Sequence, residues 1–372
     1  MTLKRLSIQN LRNLQAVDLE PSPRINLLYG ENGSGKTSVL EAIHSLALGR
    51  SFRSHKHKPL IRHGQEAFTV FGRVSSRGAD IPLGVHRQKD GQSSFKANGI
   101  QVSSIAELAS YLPVQVINSD SFQLLEGSPK VRRQFIDWLV FHVEPQFFGV
   151  WKGAQRCLKH RNALLRRDRI DRSELAVWDR ELLTLSEALH QYRSQSVAQF
   201  RAVFLELLES FVRIPGVELN YFRGWDRERS YEEVLKANFE KDFQQGYTHS
   251  GCHRADLRIT VNGQPAGEVL SRGQQKLVVC ALKVSQAYVF ANTTGNRCVY
   301  LVDDLPAELD QHHRARLVDW LEKLGGQVFI TGVEREALLA DWLDRPHLAR
   351  KVFHVEQGEL KAVDETSSAA NE

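Results

Sequence analysis

The chain has 372 residues, 42% of them hydrophobic and 25% charged, with a formal net charge of +5. This is the balance of a soluble globular protein with room for two or three domains and a large core. No run of about 18 apolar residues appears, so a helical membrane span is excluded, and MTLKRLSIQNL has no signal-peptide hydrophobic region. Cys157, Cys252, Cys280 and Cys298 lie far apart without C-x-x-C spacing. They suggest neither a disulfide framework nor a zinc site, fit a reducing cytoplasm and are expected as small buried hydrophobes. The mild positive charge is compatible with a polyanionic partner.

Leu3 to Leu11 alternates apolar and polar residues and reads as an edge strand leading into a turn. Val17 to Leu19 reads as a second strand, set apart by Pro21 and Pro23 from a short buried strand, Ile25 to Tyr29. Gly30-Glu31-Asn32-Gly33-Ser34-Gly35-Lys36-Thr37 then matches the phosphate loop, with Ser38 to Leu48 as the helix behind it. The glycines let successive backbone N–H groups turn inward around a triphosphate. Lys36 can reach the β- and γ-phosphates, and the Thr37 hydroxyl can ligate Mg²⁺. A strand feeding a glycine loop and a helix N-terminus is an anion site by construction.

The stretch from Gly49 to Lys58 is basic and polar. It reads as a surface loop, either a solvated face or a phosphate contact through Arg50, Arg53, Lys56 and Lys58. Alternating runs at 68–74, 81–85 and 94–99, with turns at Arg77-Gly78 and Asp90-Gly91, predict antiparallel strands. Val114 to Ile117 reads as another buried strand.

From Lys130 the period becomes helical. One helix runs to Pro145, a second from Gln146 to Arg169, and a third from Ser173 to Ile214, which would span roughly 60 Å. The last two make an antiparallel arm. Residues 152–172 hold eight Lys/Arg against two Asp. Lys152, Arg156 and Lys159 stand on the polar face, either as DNA contacts or as a solvated face. Residues 231–245 read as one more helix and 257–261 as a strand.

Leu270-Ser271-Arg272-Gly273-Gln274-Gln275-Lys276 opens another helix, whose N-terminus is either a second anion site or a plain serine cap. The wholly apolar Cys298 to Val302 fits a central parallel strand, and Asp303-Asp304 follows it directly. Asp303 there can hold Mg²⁺ beside the phosphate loop, and Asp304 can orient the attacking water. Ala307 to Asp310 reads as a polar loop, residues 328–331 as a further buried strand and the last residues as a disordered tail.

Taken together, the phosphate loop, the Ser271 signature and the acid pair followed by Glu308-Leu309-Asp310 resemble an ATP-binding-cassette ATPase. In such proteins the signature serine of one subunit completes the ATP site of another, so the resemblance implies an ATP-dependent head-to-tail homodimer. It assigns Ser271, Gly273 and Gln274 to ATP. The long insertion resembles the structural-maintenance and DNA-repair branch rather than a transporter ATPase subunit. Within that branch, residues 6–13, 30–38, 49–53 and 126–137, His253 to Leu257 and Ser271 to Lys276 resemble the bacterial RecF family.

The expected fold is α/β: a cassette-type phosphate-loop ATPase head with flanking antiparallel strands and an inserted helical arm domain. The head is expected at 1–120 and 246–364, the arm at 121–245 and the tail at 365–372. The resemblance implies a slow DNA-dependent ATPase that recognises single-strand/duplex junctions at gaps. It implies RecR and, through it, RecO and RecA as partners, in recombination, repair and replication restart. A chromosome-structuring module is the rival. The departures are Ser250-Gly251-Cys252 before His253, Ala307 in place of serine, and no switch histidine near Thr331-Gly332. Gln115 and Gln123 both stand open for the glutamine-loop role.

Overall fold

The fold is taken from a computed structural model. It describes residues 1–363 except 55, 77, 103, 170 and 306–308. The chain divides into two units, residues 1–121 with 282–372 and residues 122–281.

The first unit places one helix between two sheets. The antiparallel sheet has the order Leu14–Leu19, Thr2–Leu11, Ala67–Ser76, Ala79–Gln88, Ser93–Ala97 and Ile100–Gln101. Thr2–Leu11 is therefore an inner strand, flanked on both sides, and the edge expected there belongs to Leu14–Leu19. The other sheet runs Glu359–Val363, Arg350–Glu356, Ile25–Tyr29, Gln327–Gly332, Val299–Val302 and Val114–Ile117. It is parallel apart from its terminal hairpin strand. Its strands Val299–Val302 and Gln327–Gly332 are buried on both faces, as a covered parallel sheet requires.

Helix Lys36–Leu48 is buried almost all round, and Val39, Leu40, Ile43 and Leu46 join residues of both sheets in one core. A helix with no solvated face belongs in an interior. Its buried Glu41 is matched: Arg12 donates to both carboxylate oxygens, at 3.0 and 2.8 Å, and the Ser51 hydroxyl donates to it as well.

In the second unit, helices Phe147–Leu165 and Arg172–Phe211 pack side by side as the expected arm. Arg172–Phe211 is 40 residues long and is capped by Asp171, whose carboxylate accepts from the backbone N–H of Ser173 and Glu174. Residues 231–245 form two helices, Tyr231–Ala237 and Phe239–Gln245, rather than one, joined at Asn238.

The stretch 246–281, expected with the head, belongs to the second unit. The reason is pairing: strand Asp256–Val261 lies antiparallel to Val217–Phe222, a strand absent from the sequence reading. Arg132 also grips Asp256 through two bonds, at 2.8 and 3.0 Å. The expected tail lies outside the described residues.

Candidate nucleotide site

The phosphate loop follows strand Ile25–Tyr29 and is fixed from outside itself. The Asn13 amide, in the turn after the first strand, donates to the carbonyls of Gly33 and Ser34 at 3.1 and 3.0 Å. Asn13 also accepts from the Ser38 hydroxyl at 2.9 Å, and Gly358 N–H donates to the Ser34 carbonyl at 2.8 Å. Two glycines are required for different reasons. At Gly30, φ is +146° and an added Cβ would lie 2.1 Å from the Val355 carbonyl oxygen. At Gly33, φ is +82° and an added Cβ would meet nothing within 4 Å, because the loop opens there.

Lys36 is only 8% exposed. Its ammonium donates to the carbonyls of Gly30 and Glu31 at 2.7 and 2.8 Å. Burial pushes its pKa below the usual lysine value, against the opposing pull of Asp304 and Asp303. Thr37, one residue on, donates its hydroxyl to Asp303 at 2.9 Å. Asp303 ends strand Val299–Val302, and Thr331 of the neighbouring strand Gln327–Gly332 donates to the same carboxylate at 2.7 Å. Burial raises the Asp303 pKa, and the two hydroxyl bonds oppose the rise. Asp304 adopts φ +54°, unusual for a residue with a side chain, and its N–H donates to the Thr331 hydroxyl at 2.8 Å.

These groups border one cavity of about 650 Å³, lined by Asn32, Gly33, Gly35, Lys36, Thr37, Ser38, Asp303, Asp304 and Thr331 among others. Glu31 is exposed and does not line it, and the buried Ser34 hydroxyl has no partner. Backbone donors, a buried ammonium and an orphaned hydroxyl suit a polyphosphate. A hydroxyl and a carboxylate in contact suit a hard cation that takes oxygen ligands. The residues present therefore fit Mg²⁺ with a nucleoside triphosphate.

Residues without a nucleotide role in the sequence reading also line the cavity: Arg12, Asn13, His63 and Thr331. Arg53, read from sequence as a DNA contact, lines it too and lies 3.8 Å from Glu41. Arg50, Lys56 and Lys58 are exposed and do not line it. Gln115 is buried and donates to Gln286, away from the lining, and Gln123 belongs to the second unit.

Ser271, Gly273 and Gln274 also lie in the second unit. Ser271 and Gln274 bond reciprocally, with Ser271 N–H donating at 3.0 Å and Gln274 N–H at 3.3 Å, at the head of helix Arg272–Thr294. Ser271 and Gly273 are exposed, and a Cβ on Gly273 would meet nothing within 4 Å. Lys152, Arg156 and Lys159 are exposed on the arm, and Arg156 pairs with Glu181 at 2.7 Å.

Fold and site define a phosphate-loop head of the SMC type, and residues 2–359 match the family model described as the RecF/RecN/SMC N terminal domain. Within that group the chain belongs to the RecF family. It is 64% identical over 361 residues to the DNA replication and repair protein RecF of Cellvibrio japonicus (strain Ueda107), covering 97% of this chain and 99% of that one. It is 48% identical over 361 residues to the RecF of Pseudomonas entomophila (strain L48), covering 97% and 98%. A solved structure of "the recombination mediator protein RecF-ATP in RecFOR pathway" superposes with a TM-score of 0.86 at 24% identity, covering 98% of each chain. Among the described residues no helix is long and apolar enough to cross a membrane.

Proposed function

We propose that this chain is an ATP-dependent DNA-binding recombination mediator of the cytoplasm. The reading is that it binds ATP with Mg²⁺ and, as a dimer, engages single-strand/duplex junctions at gaps. With RecR, and through it RecO, it helps place RecA there. The observation that carries the reading is the contact of Thr37 with Asp303 beside the buried ammonium of Lys36. Membership in a family whose members are called DNA replication and repair proteins supports the DNA side.

In this mechanism the loop N–H groups and Lys36 hold the phosphates, and Lys36 exchanges two carbonyl partners for phosphate oxygens. Thr37 and Asp303 would hold Mg²⁺, which would supply neutralisation of charge on the phosphates. Asp304 accepts a hydrogen bond from the attacking water and orients it. Its backbone is fixed by Thr331. Hydrolysis is slow, depends on DNA and acts as a release timer.

The test is binding of a gapped duplex with ATP, with ADP and without nucleotide. ATP-dependent preference for the gap over blunt duplex is expected. Equal binding in all three states would refute the reading.

A further inference from the structure

A groove of about 460 Å³ lies wholly within the second unit. Helix Arg172–Phe211 supplies His190, Ser194 and Arg201 to it, at spacings of four and seven that keep one face. Strand Val217–Phe222 and the turn after it supply Tyr221, Arg223 and Arg227. The lining holds three arginines and no carboxylate. In a cleft, charge of one sign without an internal counter-ion focuses potential for an anion.

Two further observations point to a ligand. The groove is built: one Arg223 amino group donates to the carbonyls of Asp226, Arg227 and Arg229 at 2.6, 3.1 and 2.9 Å. The same guanidinium lies 4.8 Å from the Trp225 ring centre. Arg227 donates to the Tyr221 carbonyl at 3.1 Å, and His190 stacks on Tyr221 with ring centres 5.8 Å apart. The groove is also unsatisfied. His190 Nδ1 and Arg223 Nε are buried and have no hydrogen-bond partner. Native structures leave few buried polar atoms unpaired, and these two belong to residues that line the groove.

The partner must offer acceptors and negative charge to several donors at once. A tetrahedral phosphate does so, and arginine forks match it. The arginines come from two elements, which suits a chain of phosphates rather than one ion. We infer that this groove holds the backbone phosphates of a nucleic-acid strand. The inference rests on the nucleic-acid reading above and deepens it by moving the contact to residues outside the basic arm face and the Arg50–Lys58 loop.

The test is the salt dependence of binding to a fluorescent duplex with a single-stranded end, for wild type and for Arg201→Gln/Arg227→Gln. Neither residue borders the nucleotide cavity, and both side chains are exposed. Each lost phosphate contact lowers the log–log slope by about 0.9, so the double variant should lose about 1.8, with weaker binding at low salt. ATP affinity and melting temperature should not change. Arg201→Gln alone, at an exposed position, should lose about 0.9 and guards against a folding defect in the pair. If wild type binds DNA and both variants keep its slope and affinity, the groove is refuted while the DNA reading stands. If wild type binds no DNA, that reading fails and the groove with it. If the variants lose poly-glutamate binding but keep DNA binding, the groove takes an acidic peptide and the inference is overturned.

Discussion

Lys36→Met should weaken ATP binding by about 100-fold, a figure that follows from what the ammonium does. It is buried, its pKa is depressed by that burial, and it is held by two carbonyls of its own loop. Hydrogen bonds to charged groups contribute about 1.5–3 kcal/mol net. Replacing neutral carbonyl partners by charged phosphate oxygens places the gain near the upper part of that range, about 2.7 kcal/mol, or two decades in affinity. Methionine keeps the length of the side chain and removes the charge. Calorimetry reads the affinity directly, and melting reads it through linkage. With ATP at about 100 times the wild-type Kd, binding stabilises wild type by about 2.7 kcal/mol. The variant, then near its own Kd, gains about 0.4 kcal/mol. At about 2–4 °C per kcal/mol the nucleotide should raise the wild-type Tm by about 5–11 °C and the variant's by about 1–2 °C. Equal affinities with equal Tm shifts would refute the assignment of Lys36 to phosphate.

Asp303→Asn should lose Mg²⁺-dependent ATP affinity and leave the weak affinity measured in EDTA unchanged; loss in both conditions would mean a collapsed loop instead. The same variant tests the raised Asp303 pKa. An acid raised on folding stabilises the fold fully below its unfolded value and loses that contribution as pH rises through the folded value. The Tm of nucleotide-free wild type relative to Asp303→Asn should therefore rise as pH falls from about 7 toward about 4, and a constant difference would contradict the burial argument. Arg161→Met should destabilise the second unit by about 3–5 kcal/mol in urea unfolding, because it strands buried charge. Arg161 is fully buried and donates to Asp179 at 2.6 Å and to Asp242, itself fully buried, at 2.7 Å. Restoration by adding Asp242→Asn is expected, and a wild-type midpoint for the single variant would refute the role. Neutralising Lys152, Arg156 and Lys159 should flatten the salt dependence of DNA binding; an unchanged slope would leave that helix face merely solvated.

The phosphate loop was legible because its chemistry is local: Gly30 to Thr37 must be contiguous to curl around one anion. Asp303 was legible because an apolar strand precedes it and the loop strand lies in the same sheet. Thr331 and Asn13 were not assigned roles, because their partners sit 28 and 25 residues away and no local pattern encodes those pairings. Arg53 looked like surface charge until Glu41, fully buried, lay beside it. The 246–281 boundary was misplaced for a similar reason. Val217–Phe222 follows a helix end at Pro215-Gly216, and only its partner Asp256–Val261 reveals that the chain returns to the second unit. The terminal hairpin, Arg350–Glu356 with Glu359–Val363, was also missed. Lys351 and His354 interrupt its apolar run, while pairing to Ile25–Tyr29 buries Val352, Phe353 and Val355.

The central claim is that ATP joins two copies of this chain, with Ser271 and Gly273 of one capping the phosphates held by Lys36 of the other. The exposed head of helix Arg272–Thr294 supports it, since Gly273 has open space where a ligand could approach. A two-fold interface of this kind holds two nucleotides per dimer. Sedimentation velocity of wild type and Ser271→Arg, each with ATP, with ADP and without nucleotide, is the direct measurement. The account predicts a wild-type dimer with ATP alone, and a variant that binds ATP yet sediments as a monomer throughout. A wild type that stays monomeric with ATP, or a variant that dimerises as wild type does, would contradict it.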